Sequence, residues 1–191
     1  MTRIVAGQYK GRLLKVPPSG TRPTSERVRE ALFSRLEHMG YIKGCEVVDL
    51  FAGSGAFGLE SVSRGASYVE LVESAASAVR VIRHNVSELA IGRGAGVAHQ
   101  KVESWLAAPR NREFDLAFLD PPYDLPEEQL AAILAALPEH MAADGMVVVE
   151  RSSRSPEPTW PREFVLDDVR SWGDTRAWSA VKATADTRVG L

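Results

Sequence analysis

A single cysteine, Cys45, excludes an internal disulfide in this chain of 191 residues. Cys45 falls at the start of a strand-like run and reads as a small buried side chain. Long apolar runs are also missing. None approaches the ~18 residues that a membrane helix needs, so no membrane partner is expected. The start, Met1-Thr2-Arg3-Ile4-Val5-Ala6-Gly7-Gln8, lacks an unbroken apolar stretch, and no secretory leader is expected. The histidines, His38, His84, His99 and His140, are scattered without metal-ligand spacing, so no metal is expected. There is no internal repeat. A reduced, cytoplasmic protein fits these absences.

What is present is ordinary in bulk and uneven in detail. A hydrophobic content of 45% and a charged content of 25% suit a globular protein. The length suits one α/β domain with a small appendage. The net charge of −2 hides an asymmetry. Arg3, Lys10, Arg12, Lys15, Arg22, Arg27 and Arg29 stand against Glu26 alone in residues 1–29. A basic arm on an acidic body points to a polyanion met at one end of the molecule. A solvated charged face is the alternative.

Residues 3–6 and 12–16 read as two short strands joined through two glycines, a hairpin. Pro17-Pro18-Ser19-Gly20 is a linker. A helix should start near Thr24 or Ser25, either of which can cap it. Val28, Ala31, Leu32 and Leu36 recur at helical spacing, and Gly40 lies just past the end. Strands are then expected at 47–50, 68–72, 94–99, 114–119 and 146–150. Helices are expected at 56–64, 75–89, 102–107 and 127–137. This rhythm argues for a parallel sheet with helices on both faces. Residues 151–162, with Pro156, Pro158 and Pro161, read as a loop, and 164–170 with 178–182 as a closing hairpin around Gly173-Asp174. The expected domains are a basic hairpin extension at 1–20 and a Rossmann-like domain at 21–191.

Two motifs carry chemistry. The strand Val47-Val48-Asp49-Leu50 runs into Phe51-Ala52-Gly53-Ser54-Gly55, and Gly53 to Gly58 match G-x-G-x-x-G. Glu73 follows Gly53 by 20 residues, where an acid can hold ribose hydroxyls. That pattern alone does not separate a nicotinamide site from other adenosine-like cofactors. Asp49 would repel a pyrophosphate and attract a cationic amino-acid tail, and Phe51 adds apolar bulk. A sulfonium cofactor with a methionine ammonium group suits these residues better. A plain strand-to-helix turn is the alternative.

The second motif, Asp120-Pro121-Pro122-Tyr123, follows the apolar run Phe114-Asp115-Leu116-Ala117-Phe118-Leu119. In an open α/β sheet both motifs would face one crevice at the carboxyl ends of the strands. A planar exocyclic amine could give one N–H to Asp120 and the other to the Pro121 carbonyl, held in place by the fixed φ of proline. Its lone pair could then attack a methyl group in line. Tyr123 could stack on the base, worth about 1–3 kcal/mol. A surface turn is the alternative.

With these motifs, the chain resembles the S-adenosylmethionine-dependent amino-methyltransferases. Arg3-Ile4-Val5-Ala6-Gly7 and Lys10-Gly11-Arg12, with Arg22-Pro23-Thr24-Ser25-Glu26-Arg27-Val28-Arg29-Glu30-Ala31-Leu32-Phe33, narrow the resemblance to the RsmD family. Those bacterial enzymes methylate N2 of one guanine in 16S rRNA. The resemblance implies a mostly parallel seven-stranded methyltransferase sheet, with an antiparallel strand from the last hairpin and an N-terminal hairpin used on RNA. It implies S-adenosyl-L-methionine held by Asp49, Phe51, Ala52, Gly53, Ser54, Gly55, Glu73, Glu103 and Thr24. It places the guanine at Asp120, Pro121, Pro122 and Tyr123, and the RNA on Arg3, Lys10, Arg12 and Arg22. The expected partner is 16S rRNA within a small-subunit assembly particle, met by a monomer. The rival readings are an adenine-N6 methyltransferase on DNA or RNA, a nicotinamide-dependent reductase, and a non-catalytic RNA-binding module.

Overall fold

The computed structural model describes residues 1–18, 25–109 and 111–183. The chain opens with β1 (Thr2–Arg3) and β2 (Leu13–Leu14). Then come α1 (Glu26–His38), β3 (Glu46–Asp49), α2 (Ala56–Ser63), β4 (Tyr68–Glu73), α3 (Ala76–Glu88) and β5 (Ala95–His99). The rest is α4 (Val102–Ala107), β6 (Phe114–Leu119), α5 (Glu127–Ala136), β7 (Met141–Ser152), β8 (Phe164–Trp172) and β9 (Thr175–Lys182). The Ser25 hydroxyl, 3.2 Å from the Val28 amide, caps α1. Among the described residues no helix is long and apolar enough to cross a membrane.

Seven strands form one sheet in the order β5-β4-β3-β6-β7-β9-β8. Neighbours run parallel except β9, which is antiparallel to both β7 and β8. The expected Rossmann-like sheet, with the closing hairpin supplying the antiparallel strand, is present. The order reverses between β3 and β6, which makes their carboxyl ends the switch-point crevice. Central strands of such a sheet are covered on both sides and so are apolar throughout. One core, beneath α1, α2 and α3, gathers Leu32, Phe33, Val47, Phe57, Ile82, Leu116 and Phe118. The other, beneath α4 and α5, gathers Val48, Trp105, Ala117, Leu130, Ile133 and Val149.

Three features depart from the sequence reading. The hairpin ladder is shorter than expected. Past it, Val5 and Ala6 give their amides to the Glu60 carboxylate, at 2.8 and 3.0 Å, while Lys15 donates its amide to Asn85 Oδ1 and accepts Asn85 Nδ2 on its carbonyl. The backbone of the arm is thus satisfied by side chains of α2 and α3 in place of a partner strand. β7 begins five residues early because Met141 pairs with Phe114, and the chain then bulges to the Leu116–Met146 pair with Asp144 at φ +59°. Cys45 is half-buried, its thiol 3.4 Å from the Gly40 carbonyl.

The arm packs into the domain. Ile4 and Leu14 lie in the same core as the stacked rings of Phe57 and Phe118, whose centroids are 5.0 Å apart. Arg29, counted among the basic residues of the arm, is 1% exposed. It donates to the Thr2 hydroxyl and the Arg3 carbonyl, and it faces Glu60 at 3.6 Å. That cation belongs to the fold.

Gly7 has φ +82°, and a Cβ there would overlap the Ser63 carbonyl that accepts the Gln8 amide. Gly7→Ala is expected to cost at least about 1–2 kcal/mol from the left-handed backbone alone. It should also lift the arm from α2. Faster tryptic cleavage at Lys10, Arg12 and Lys15 checks this, and an unchanged cleavage rate contradicts it.

Candidate functional site

β3 ends at Asp49 and β6 at Leu119, so the glycine loop and Asp120 leave the sheet side by side; the Leu50 amide still bonds the Phe118 carbonyl at 3.0 Å. The loop then turns through Gly53 and Gly55, at φ +56° and +82°, conformations that other residues resist. Gly55 caps α2. Gly58, the third glycine, lets that helix lie against β4, where a Cβ would overlap Leu71 and Val69. The G-x-G-x-x-G spacing is therefore explained by the fold without any ligand.

Side chains hold the loop. Glu73, at the end of β4, takes the Gly53 amide on one oxygen at 3.0 Å and the Ala75 amide on the other at 2.7 Å. The Ala52 amide bonds the Val72 carbonyl at 3.0 Å, and the Ser54 carbonyl accepts from Asn85 at 3.0 Å. Between these strand ends opens a cleft of about 440 Å³, lined by Leu50, Phe51, Glu73, Lys101, Glu103 and Gln129 among others. Glu103 stands on α4 and accepts a hydrogen bond from Gln129, which draws its carboxyl below the usual range.

The crevice is acidic. Register places Asp49, Asp120 and Glu150 on the sheet face that carries Val47, Phe118 and Val148. Asp49 is 1% exposed and takes the Gly58 amide on Oδ2 at 3.2 Å, while Oδ1 is buried without a hydrogen-bond partner. Burial pushes its pKa to about 7, and Glu73 adds to the rise while the Gly58 amide opposes it. Asp120 is pushed well above the carboxylate range by burial first, then by Glu150 and Asp49. Such a site repels phosphate and favours a cation or a hydrogen-bond donor. The orphaned Asp49 Oδ1 fits the ammonium group of the expected sulfonium cofactor.

The structure brings Asp49, Phe51, Ala52, Gly53, Ser54, Gly55, Glu73, Glu103 and Asp120 to one end of the sheet. Pro121 is buried there, Pro122 is exposed, and Tyr123 presents 60% of its surface. Lys10 is exposed on the arm. Arg3 pairs with Glu26 at 3.0 Å and Arg12 reaches the Glu88 carbonyl at 2.8 Å, both at the surface. Thr24 and Arg22 lie outside the described residues. Among the described residues no three His, Cys, Asp or Glu side chains gather as metal ligands. Sequence reasoning missed Glu150 and Asn85. Glu150 ends an apolar run, and Asn85 interrupts an apolar helix stripe; those were the available signals.

The family described as conserved hypothetical protein 95 matches residues 2–180. Ribosomal RNA small subunit methyltransferase D of Haemophilus influenzae is 36% identical over 167 residues, 86% of this chain and 85% of that protein. The Escherichia coli protein of the same name is also 36% identical, over 86% of this chain and 81% of its own length. A solved structure from Escherichia coli superposes with a TM-score of 0.81 at 33% identity, covering 94% of this chain and 97% of that one.

An acid whose pKa is raised by folding is destabilising once ionised, so native stability should fall as pH climbs from about 4 through about 7. Asp49→Asn is expected to exceed the native protein in stability by on the order of a few kcal/mol above pH 7. The gap should close toward pH 4. Denaturation curves at pH 5 and pH 8.5 check this, and an equal gap at both would contradict it.

Proposed function

The chain belongs to the family described as conserved hypothetical protein 95, and from that membership we propose that it transfers the methyl group of S-adenosyl-L-methionine to the exocyclic N2 of a guanine in 16S rRNA. The observation that carries this reading is the meeting of Asp49 and Asp120 at the switch point of the sheet, with Pro121-Pro122-Tyr123 following Asp120 directly. Relatives at 36% identity bear the name rRNA small subunit methyltransferase D, which supports the substrate class.

The cofactor, when bound, supplies an electrophilic methyl on sulfur. Asp49 Oδ1 would hold its ammonium group, and the glycine loop would hold its methionine end. Each Glu73 oxygen has one lone pair left after the backbone amides, enough for ribose hydroxyls. Glu103 and its neighbours on α4 close the adenine end. Asp120 accepts one N–H of the guanine amine and the Pro121 carbonyl accepts the other, which frees the nitrogen lone pair for in-line attack. Methyl transfer would leave the nitrogen with a proton to lose. Asp120 is placed to take it in its ionised form, which a cationic cofactor beside it would favour against the burial and the neighbouring acids that raise its affinity for protons. Tyr123 stacks on the base, which reaches the site splayed out of its strand.

Residues 1–20 serve as the RNA arm of a catalytic domain spanning 21–191. Arg3, Lys10, Arg12 and Arg22 meet phosphates. The enzyme works as a cytoplasmic monomer on a small-subunit assembly particle, whose proteins extend the limited surface of one domain.

Incubation with labelled S-adenosylmethionine and unmethylated small subunits, naked 16S rRNA or duplex DNA, followed by nucleoside analysis, is the test. N2-methylguanosine from the ribosomal substrates is expected. N6-methyladenine would retain the Asp120 chemistry and overturn the target. Asp120→Ala should lower turnover by a factor of about 100 or more while sparing S-adenosylhomocysteine binding, and full activity would refute its role.

Lys10→Ala should weaken RNA binding and reduce the slope of log affinity against log salt by about one. An unchanged slope would remove Lys10 from the interface.

A further inference from the structure

Asn85 projects from the buried face of α3, in line with Ala78, Val79 and Ile82, and is 2% exposed. A primary amide on such a stripe costs stability unless its polar atoms are bonded. Here they are. Oδ1 accepts the Lys15 amide at 2.9 Å, and Nδ2 donates to the Lys15 carbonyl and to the Ser54 carbonyl, each at 3.0 Å. The orientation is set by these partners, because a flipped amide would face an N–H with its NH₂ and two carbonyls with its oxygen.

The three bonds join two parts of the molecule with different tasks. Lys15 directly follows β2, so Asn85 continues the hairpin ladder where the partner strand ends. Ser54 is the middle of the glycine loop, between Gly53 and Gly55. The loop is thus clamped by Glu73 on one side and, through Asn85, tied to the arm on the other. One turn further along α3, the Glu88 carbonyl takes Arg12, and α2 holds the start of the arm through Glu60 and Ser63. None of these contacts involves Asn85, so a variant at that position retains them. Serine or threonine could not supply two donors, and an apolar side chain would supply none.

We infer that Asn85 is a positioning residue that couples RNA engagement by the arm to the geometry of the cofactor loop, so that each ligand tightens the binding of the other. This rests on the reading of residues 1–20 as the RNA arm and of residues 51–55 as the cofactor loop. Coupling between two sites is reciprocal: the factor by which RNA tightens cofactor binding equals the factor by which cofactor tightens RNA binding.

The test measures the affinity of the full chain for S-adenosylhomocysteine with and without saturating unmethylated small subunits, and for the subunits with and without S-adenosylhomocysteine. In the native protein both ratios should agree at about fivefold or more. Asn85→Ala, which removes all three bonds, should bring both ratios to about one. Asn85→Asp keeps the size of the side chain and its Oδ1 acceptor but removes both donors. It should do the same, and it serves if the alanine variant does not fold. A purely structural role would shift single-ligand affinities or melting temperature and leave the ratios unchanged. Equal ratios in native and variant proteins, or ratios of one in a native protein that binds both ligands, would overturn the coupling. A native protein that binds neither ligand would instead overturn the functional reading, and the coupling with it.

Discussion

Glu60 sits at zero exposure on α2, and groups from three segments converge on its carboxylate. The Val5 and Ala6 amides come from the arm, Arg64 Nε from one turn along the same helix at 2.7 Å, and the Arg29 guanidinium from α1. Arg64 in turn reaches Glu30 and Glu37 on α1, at 2.5 and 2.8 Å. A buried charge survives only with this density of partners, because removing one partner of a buried pair costs about 3–5 kcal/mol. The arm, α1 and α2 are therefore held as one body. That body forms the wall from which α2 presents the glycine loop.

The same economy of polar groups shapes the crevice, with the opposite balance. Around Glu60 every charge has an opposite. At the strand ends, Asp49, Asp120 and Glu150 collect on one face, and the charge of Glu150 is felt both by Asp120 and by the buried Arg29. Burial and mutual repulsion raise the first two acids, and Asp49 keeps a buried oxygen with no hydrogen-bond partner. A fold seldom retains such an imbalance without a ligand to relieve it. A cationic cofactor tail and an amine donor would relieve it.

The arm shows how a short segment becomes part of a larger fold. Its ladder spans only two residue pairs, and an isolated hairpin of that size would not hold in water. Its order comes from Ile4 and Leu14 in the core, from Glu60 and Ser63 on α2, and from Asn85 on α3. Some of the positive charge in residues 1–29 is consequently structural. Arg29 is sealed in the core, while Lys10 remains on the surface.

Much of this protein was legible in its sequence, because the relevant signals are local. Strand and helix periodicity follow from which face each element buries, and the 102–107 helix and the 114–119 strand appear where the pattern puts them. The placing of Asp49, the glycines and Asp120 at one end of the sheet was legible because each motif directly follows or ends a strand-like run. The roles of Asn85, Glu60, Arg29 and Glu150 were decided only by the tertiary structure. Asn85 meets Ser54 across 31 residues and Lys15 across 70, and Glu60 meets Val5 across 55. No periodicity spans such distances. A buried polar side chain is worth its place only through the partner that folding brings to it, and that partner is absent from the local pattern.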